Sequence, residues 1–96
     1  MSAKDDILSK LKKAKIELAK KYPIAALALF GSYSRDEYTQ ESDVDILVEI
    51  NGRIGSKFID LAFDLEETIG KKVDLVSRNG IKPRYFDFIK KDLIYV

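Results

Sequence analysis

Asp43 and Asp45 flank Val44 at the head of the apolar run Ile46-Leu47-Val48, and a third aspartate, Asp74, lies inside K-V-D-L-V-S. Side chains alternate along a strand, so Asp43 and Asp45 project from one face. Three carboxylates converging at a sheet end would repel strongly unless cations neutralised them. Divalent ions shared between such oxygens can clamp a phosphate and activate an attacking hydroxyl. From Asp36 to Ile50 there are six acidic residues and no Lys or Arg, so the segment supplies no counter-charge of its own. That favours a metal. The chain has no His and no Cys, which excludes the usual zinc sites, a thiol nucleophile and a histidine base. A bound metal is therefore an oxygen-liganded ion such as Mg²⁺, Mn²⁺ or Ca²⁺. Acid–base chemistry falls to Asp, Glu, Lys or Tyr.

A second feature precedes the aspartates. The apolar run ending at Phe30 stops at Gly31-Ser32, and Arg35 follows one short turn later. Glycine lets the backbone approach a ligand, and a following helix presents free N–H groups to an anion. Ser32 can give its hydroxyl to a phosphate, while Arg35 either anchors the loop or neutralises charge. The pattern is not the lysine-containing phosphate loop, and it is out of register for a calcium hand. Taken singly, a Gly-Ser turn is usually only a turn, D-x-D at a strand start is often a solvated end, and a lone Asp74 is ordinarily structural. Their order along the chain is far more specific.

The elements that must position these residues follow from periodicity. Apolar residues Ile7, Leu8, Leu11, Ala14, Leu18 and Ala19 predict an amphipathic helix over 4–21, closed by Pro23. The run 24–30 predicts a buried strand, 32–38 the start of a short helix, and 43–50 the clearest strand. Ser56 is expected to cap a helix reaching Ile69, with Phe58, Ile59, Ala62, Phe63, Leu65 and Ile69 inward and Gly70 ending it. Residues 72–77 read as a strand and 78–80 as a turn. Pro83 opens a last helix to about Lys91, and 93–96 add a short strand. The fold class is therefore α/β (α+β), a small mixed sheet with helices packed against it, in one domain spanning 1–96.

Bulk composition narrows the function further. Ninety-six residues, 46% hydrophobic and 34% charged with a net charge of +1, suit a globular domain with its own core. Such balance argues against a generic nucleic-acid coat or a membrane-surface binder, so neither a direct nucleic-acid contact nor a membrane is expected. No run is long enough to span a bilayer, and the first residues lack a signal-peptide centre, so a cytoplasmic location is expected.

The stretch G-S-Y-S-R-D-E-Y-T-Q-E-S-D-V-D-I-L-V resembles the G-S-x-x-R…S-D-x-D-x-x-V signature of the nucleotidyltransferase superfamily that includes DNA polymerase beta. The short length resembles its minimal nucleotidyltransferase (MNT) branch. That resemblance implies a nucleotidyltransferase fold and Mg²⁺-dependent transfer of AMP from ATP, or another NTP, with two Mg²⁺ ions or Mn²⁺ in their place. It implies Asp43, Asp45 and Asp74 as metal ligands and catalytic residues, with Asp74 as base. Gly31, Ser32, Arg35 and Ser42 would lie on the nucleotide side. Members of the branch are commonly antitoxins paired with a HEPN-domain RNase toxin, and some modify a toxin tyrosine. The alternative for this chain is a catalytically weak or inactive antitoxin that neutralises the toxin by direct binding. The family often has Gly after the motif arginine, where this chain has Asp36. Little chain remains to hold an acceptor, so a protein partner is expected, with Arg84, Tyr85 and Tyr95 suited to its contact face.

Overall fold

Ser2 opens the first helix. In the computed structural model, which describes residues 2–96, its side chain accepts the Asp5 N–H at 3.1 Å and caps α1, Ala3–Leu18. This cap was legible in S-A-K-D and escaped the periodicity argument. The helix ends at Leu18, before Lys20 and Lys21, and its buried stripe is Ile7, Leu11, Ala14 and Leu18. Ala19 is exposed because the chain is already turning towards β1. Tyr22 holds that turn, its hydroxyl donating to Asp64 at 2.6 Å.

Strand β1, Ile24–Phe30, leads into a single helical turn, α2, Gly31–Ser34, shorter than the expected 32–38. Strand β2 is Val44–Ile50, α3 is Lys57–Ile69 and β3 is Val73–Ser77. Helix α4, Pro83–Ile89, runs into a 3₁₀ turn, Lys90–Asp92, and β4 is Ile94–Tyr95. Ser56 occupies the position before α3 but is itself helical in φ and ψ, and its side chain makes no capping bond. Gly70 ends α3 as expected, at φ 77°, with its N–H on the Glu66 carbonyl.

The four strands lie in the order β3-β2-β1-β4. β1 pairs antiparallel with β2 and with β4, while β2 and β3 are parallel. A parallel pair needs a long crossover, which α3 provides. Strand alternation then splits the core in two. Leu27, Leu29, Val44, Ile46, Val48 and Val73 face α1 and α3. Ala28, Phe30 and Leu47 face the other way, onto Ile89 of α4 with Phe86 and Leu93 beside it. On α3 the inward residues are Leu61, Leu65 and Ile69. Ile59 and Phe63, expected inside, are 59% and 63% exposed. The helix carries more apolar residues than one face can bury, and spacing alone does not rank them.

Among the described residues no helix is long and apolar enough to cross a membrane.

Candidate active site

The second sheet face has one covered half and one open end. Helix α4 lies over Leu47, Ala28 and the flank of Val76. Two residues back along β2 comes Asp45, and two back along β3 comes Asp74, so both carboxylates occupy the end of the face that α4 leaves uncovered. Asp45 and Asp74 are partners in the β2–β3 register, and Asp45 also pairs with Phe30 of β1. The register is set by the Val44 N–H, which donates to the Lys72 carbonyl at 2.8 Å. Asp43 sits just ahead of β2. The three aspartates singled out in the sequence are therefore brought to one end of the sheet, with Asp43 and Asp45 half-buried and Asp74 exposed.

Crowding has an electrostatic consequence. Burial, then the neighbouring Asp74 and Asp43, push the Asp45 carboxyl up to about 6, with Arg35 acting in the opposite sense. Among the described residues no three acidic side chains are gathered tightly enough to hold a metal ion by themselves. Mg²⁺ suits such a set: it is commonly bound by one or two carboxylates together with substrate phosphates and water, without an all-protein cage. The donor set of hard oxygens on a shared face fits a divalent ion.

Gly31 closes the other side. Its φ is +75°, a conformation glycine adopts freely. A Cβ at this position would overlap the Asp45 carboxylate and stand 2.8 Å from its Cγ. Only glycine lets the turn lie directly against the carboxylate. Ser32 follows, half-buried, its carbonyl accepting the Glu37 N–H at 2.8 Å. Ser42 faces its own loop, its hydroxyl accepting the Thr39 N–H at 2.9 Å. The Arg35 guanidinium is engaged with acids: Nε donates to Glu37 at 3.0 Å and Nη1 to Asp92 at 3.0 Å. Glu37 and then Asp92 hold it above its ordinary pKa. These contacts are those of an anchor for the loop, and the Arg35 charge also offsets part of the charge on Asp45. Asp92 had not been singled out in the sequence; no local signal links it to a residue 57 positions away.

Asp36, which follows the motif arginine, has φ +58° and pairs with Lys4 at 3.5 Å. The loop thus keeps a left-handed residue, and Asp is among the few side chains that tolerate it. Asp36→Gly is expected to leave stability within about 0.5 kcal/mol, whereas Asp36→Val costs about 1–2 kcal/mol. Urea unfolding of the two variants checks this.

The chain as a whole has counterparts among known proteins. The family model described as a nucleotidyltransferase domain matches residues 11–96. A protein adenylyltransferase, MntA, from Thermococcus cleftensis is 37% identical over 94 residues, covering 96% of this chain and 94% of its own. A solved structure described as a minimal nucleotidyltransferase superposes with a TM-score of 0.78 at 29% identity, covering 98% of this chain and 95% of that one. A toxin–antitoxin crystal structure with AMP-PNP has a TM-score of 0.61 at 27% identity, covering 74% of this chain and 60% of that one. With the family model matching residues 11–96, which include β1 through β4, this chain belongs to the nucleotidyltransferase domain family.

Proposed function

We propose that this chain is the antitoxin of a toxin–antitoxin pair and transfers AMP from ATP to a hydroxyl of its HEPN-domain toxin, a tyrosine. The observation that carries the reading is the in-register pair Asp45 and Asp74 on the open sheet end, closed on one side by Gly31. Support comes from the adenylyltransferase name of MntA and from the nucleotide analogue in the related toxin–antitoxin complex.

The reaction has a simple balance. The acceptor oxygen attacks the α-phosphorus of ATP, a new P–O bond forms, and the bond to the β-phosphate breaks to release pyrophosphate. The acceptor proton passes to a carboxylate, and Asp74, exposed at the mouth, is the one we assign as base. Asp43, Asp45 and Asp74 would hold Mg²⁺, which when bound neutralises charge on the phosphates and acidifies the acceptor hydroxyl. Gly31 allows the phosphates to come close to backbone, Ser32 donates its hydroxyl to them, and Ser42 stabilises the loop leading into Asp43. Helix α4 walls off the rest of the face.

A second reading has its own observation. Tyr85, Phe88 and Tyr95 are large apolar side chains exposed at 46%, 66% and 50%, a feature that suits contact with a partner without modifying it. Incubation with the HEPN toxin, ATP and Mg²⁺ separates the two. Under the transfer reading, intact-mass spectrometry finds AMP on one or a few toxin hydroxyls and RNase activity falls. If an Asp43→Ala, Asp45→Ala double variant inhibits the toxin equally with no mass change, masking is the function.

A further inference from the structure

We propose that Asp92 is a positioning residue: through Arg35 and Ser34 it braces the Gly31–Ser32 turn against Asp45. The inference rests on the nucleotidyl-transfer reading of that turn. Asp92 belongs to the 3₁₀ turn after α4, far along the chain from α2. Two bonds join them. The Arg35 Nη1 donates to the Asp92 carboxylate at 3.0 Å, and the Ser34 hydroxyl donates to the Asp92 carbonyl. Arg35 also donates to Glu37, so its fork spans the loop and the 3₁₀ turn together.

The brace has a reason to exist. α2 is one turn long, too short to be stable on its own, and lies between a glycine at φ +75° and Asp36 at φ +58°. Gly31 must nonetheless stay against Asp45, so close that a Cβ would overlap its carboxylate. An anchor at the far end of the turn limits this freedom. The Asp92 side chain is only 13% exposed, so water competes poorly for the bond, while that of Arg35 is 38% exposed. The guanidinium is thereby committed to protein carboxylates, and the phosphates are left to Gly31 and Ser32.

The test compares wild type with Asp92→Asn, Asp92→Ala and Asp92→Glu, using the full chain, Mg²⁺-ATP and the toxin. Asp92→Ala is expected to raise KM for ATP about tenfold or more while kcat changes by about twofold, because a loosened phosphate loop weakens ground and transition states alike. Asp92→Asn follows it, and Asp92→Glu restores most of the affinity. A merely structural role would lower the folded fraction and leave KM of the remaining enzyme unchanged. Hydrogen exchange without nucleotide is the second readout, with amides 32–37 expected to exchange about tenfold faster in Asp92→Ala and Asp92→Asn. Were Arg35 a phosphate ligand held in reserve, releasing it from Asp92 would leave KM unchanged or lower it, and that result overturns the proposal. Unchanged exchange at 32–37 overturns it too. If wild type neither binds ATP nor transfers, the reading of the site fails, while the exchange data still decide whether the brace exists.

Discussion

Asp45→Asn is expected to cripple transfer and at the same time to stabilise the protein in EDTA at pH 7.5. Both effects have one origin. The Asp45 carboxyl is pushed up to about 6 by burial and by Asp74 and Asp43, against about 3.9 in an unfolded chain. Between these values the unfolded state has already lost the proton that the folded state retains, so stability falls as pH rises from about 4 to about 6. Above that window wild type carries the full penalty. Because Asp45 is only half-buried, solvent screening weakens this penalty, and the expected gain is about 1 kcal/mol. Asn is nearly isosteric and carries no charge, so the gain is present at pH 7.5 and vanishes below pH 4. Transfer should fall about 100-fold or more, since one of the carboxylates that would hold Mg²⁺ is gone. Urea titrations at several pH values and initial rates with the toxin measure the two effects. Equal rates, or a wild type that is the more stable in EDTA at pH 7.5, would falsify the account.

Gly31→Ala is the second large effect, and Gly70→Ala is its control. Both glycines have nearly the same left-handed backbone, φ +75° and +77°. An alanine at either therefore costs about 1 kcal/mol of strain. They differ in surroundings. Nothing lies within 4 Å of a Cβ at Gly70, whereas at Gly31 it meets the Asp45 carboxylate. Gly31→Ala must displace either the turn or Asp45, and each belongs to the site. ATP binding in Mg²⁺ should weaken at least about tenfold and transfer about 100-fold, while Gly70→Ala loses only stability. Ser32→Ala, which removes one hydrogen bond to a charged acceptor, is expected to cost about 1–3 kcal/mol in binding. Calorimetric titration of the three variants with Mg²⁺-ATP decides; full binding by Gly31→Ala would show that this turn does not cradle phosphates.

Much of the frame could be read from local pattern. β1 spans the predicted 24–30, and the boundary at Gly70 fell where a left-handed residue ends a helix. Asp43 and Asp45 stood out because D-x-D on a strand puts both side chains on one face, and Asp74 because it completes the order of strand, glycine turn and strand carboxylates along the chain. These are short-range signals: side-chain alternation, apolar runs, and residues with restricted or permissive φ. The inward face of α3 was less legible, since Ile59 and Phe63 are as apolar as the buried Leu61 and only the position of α1 and the sheet chooses between them.

What the sequence alone determined was thus the inventory, namely the strands, the glycine turn and the three carboxylates, because each is dictated by neighbours a few residues away. Tertiary structure decided their relations. It set Asp74 level with Asp45 through the β2–β3 register and pressed Gly31 against the Asp45 carboxylate. It also turned Arg35 towards Asp92 across 57 residues. A register depends on backbone hydrogen bonds between strands joined by a helix, and an ion pair of that span depends on where two remote turns come to rest. Neither leaves a trace in local composition, and only the packed core specifies both.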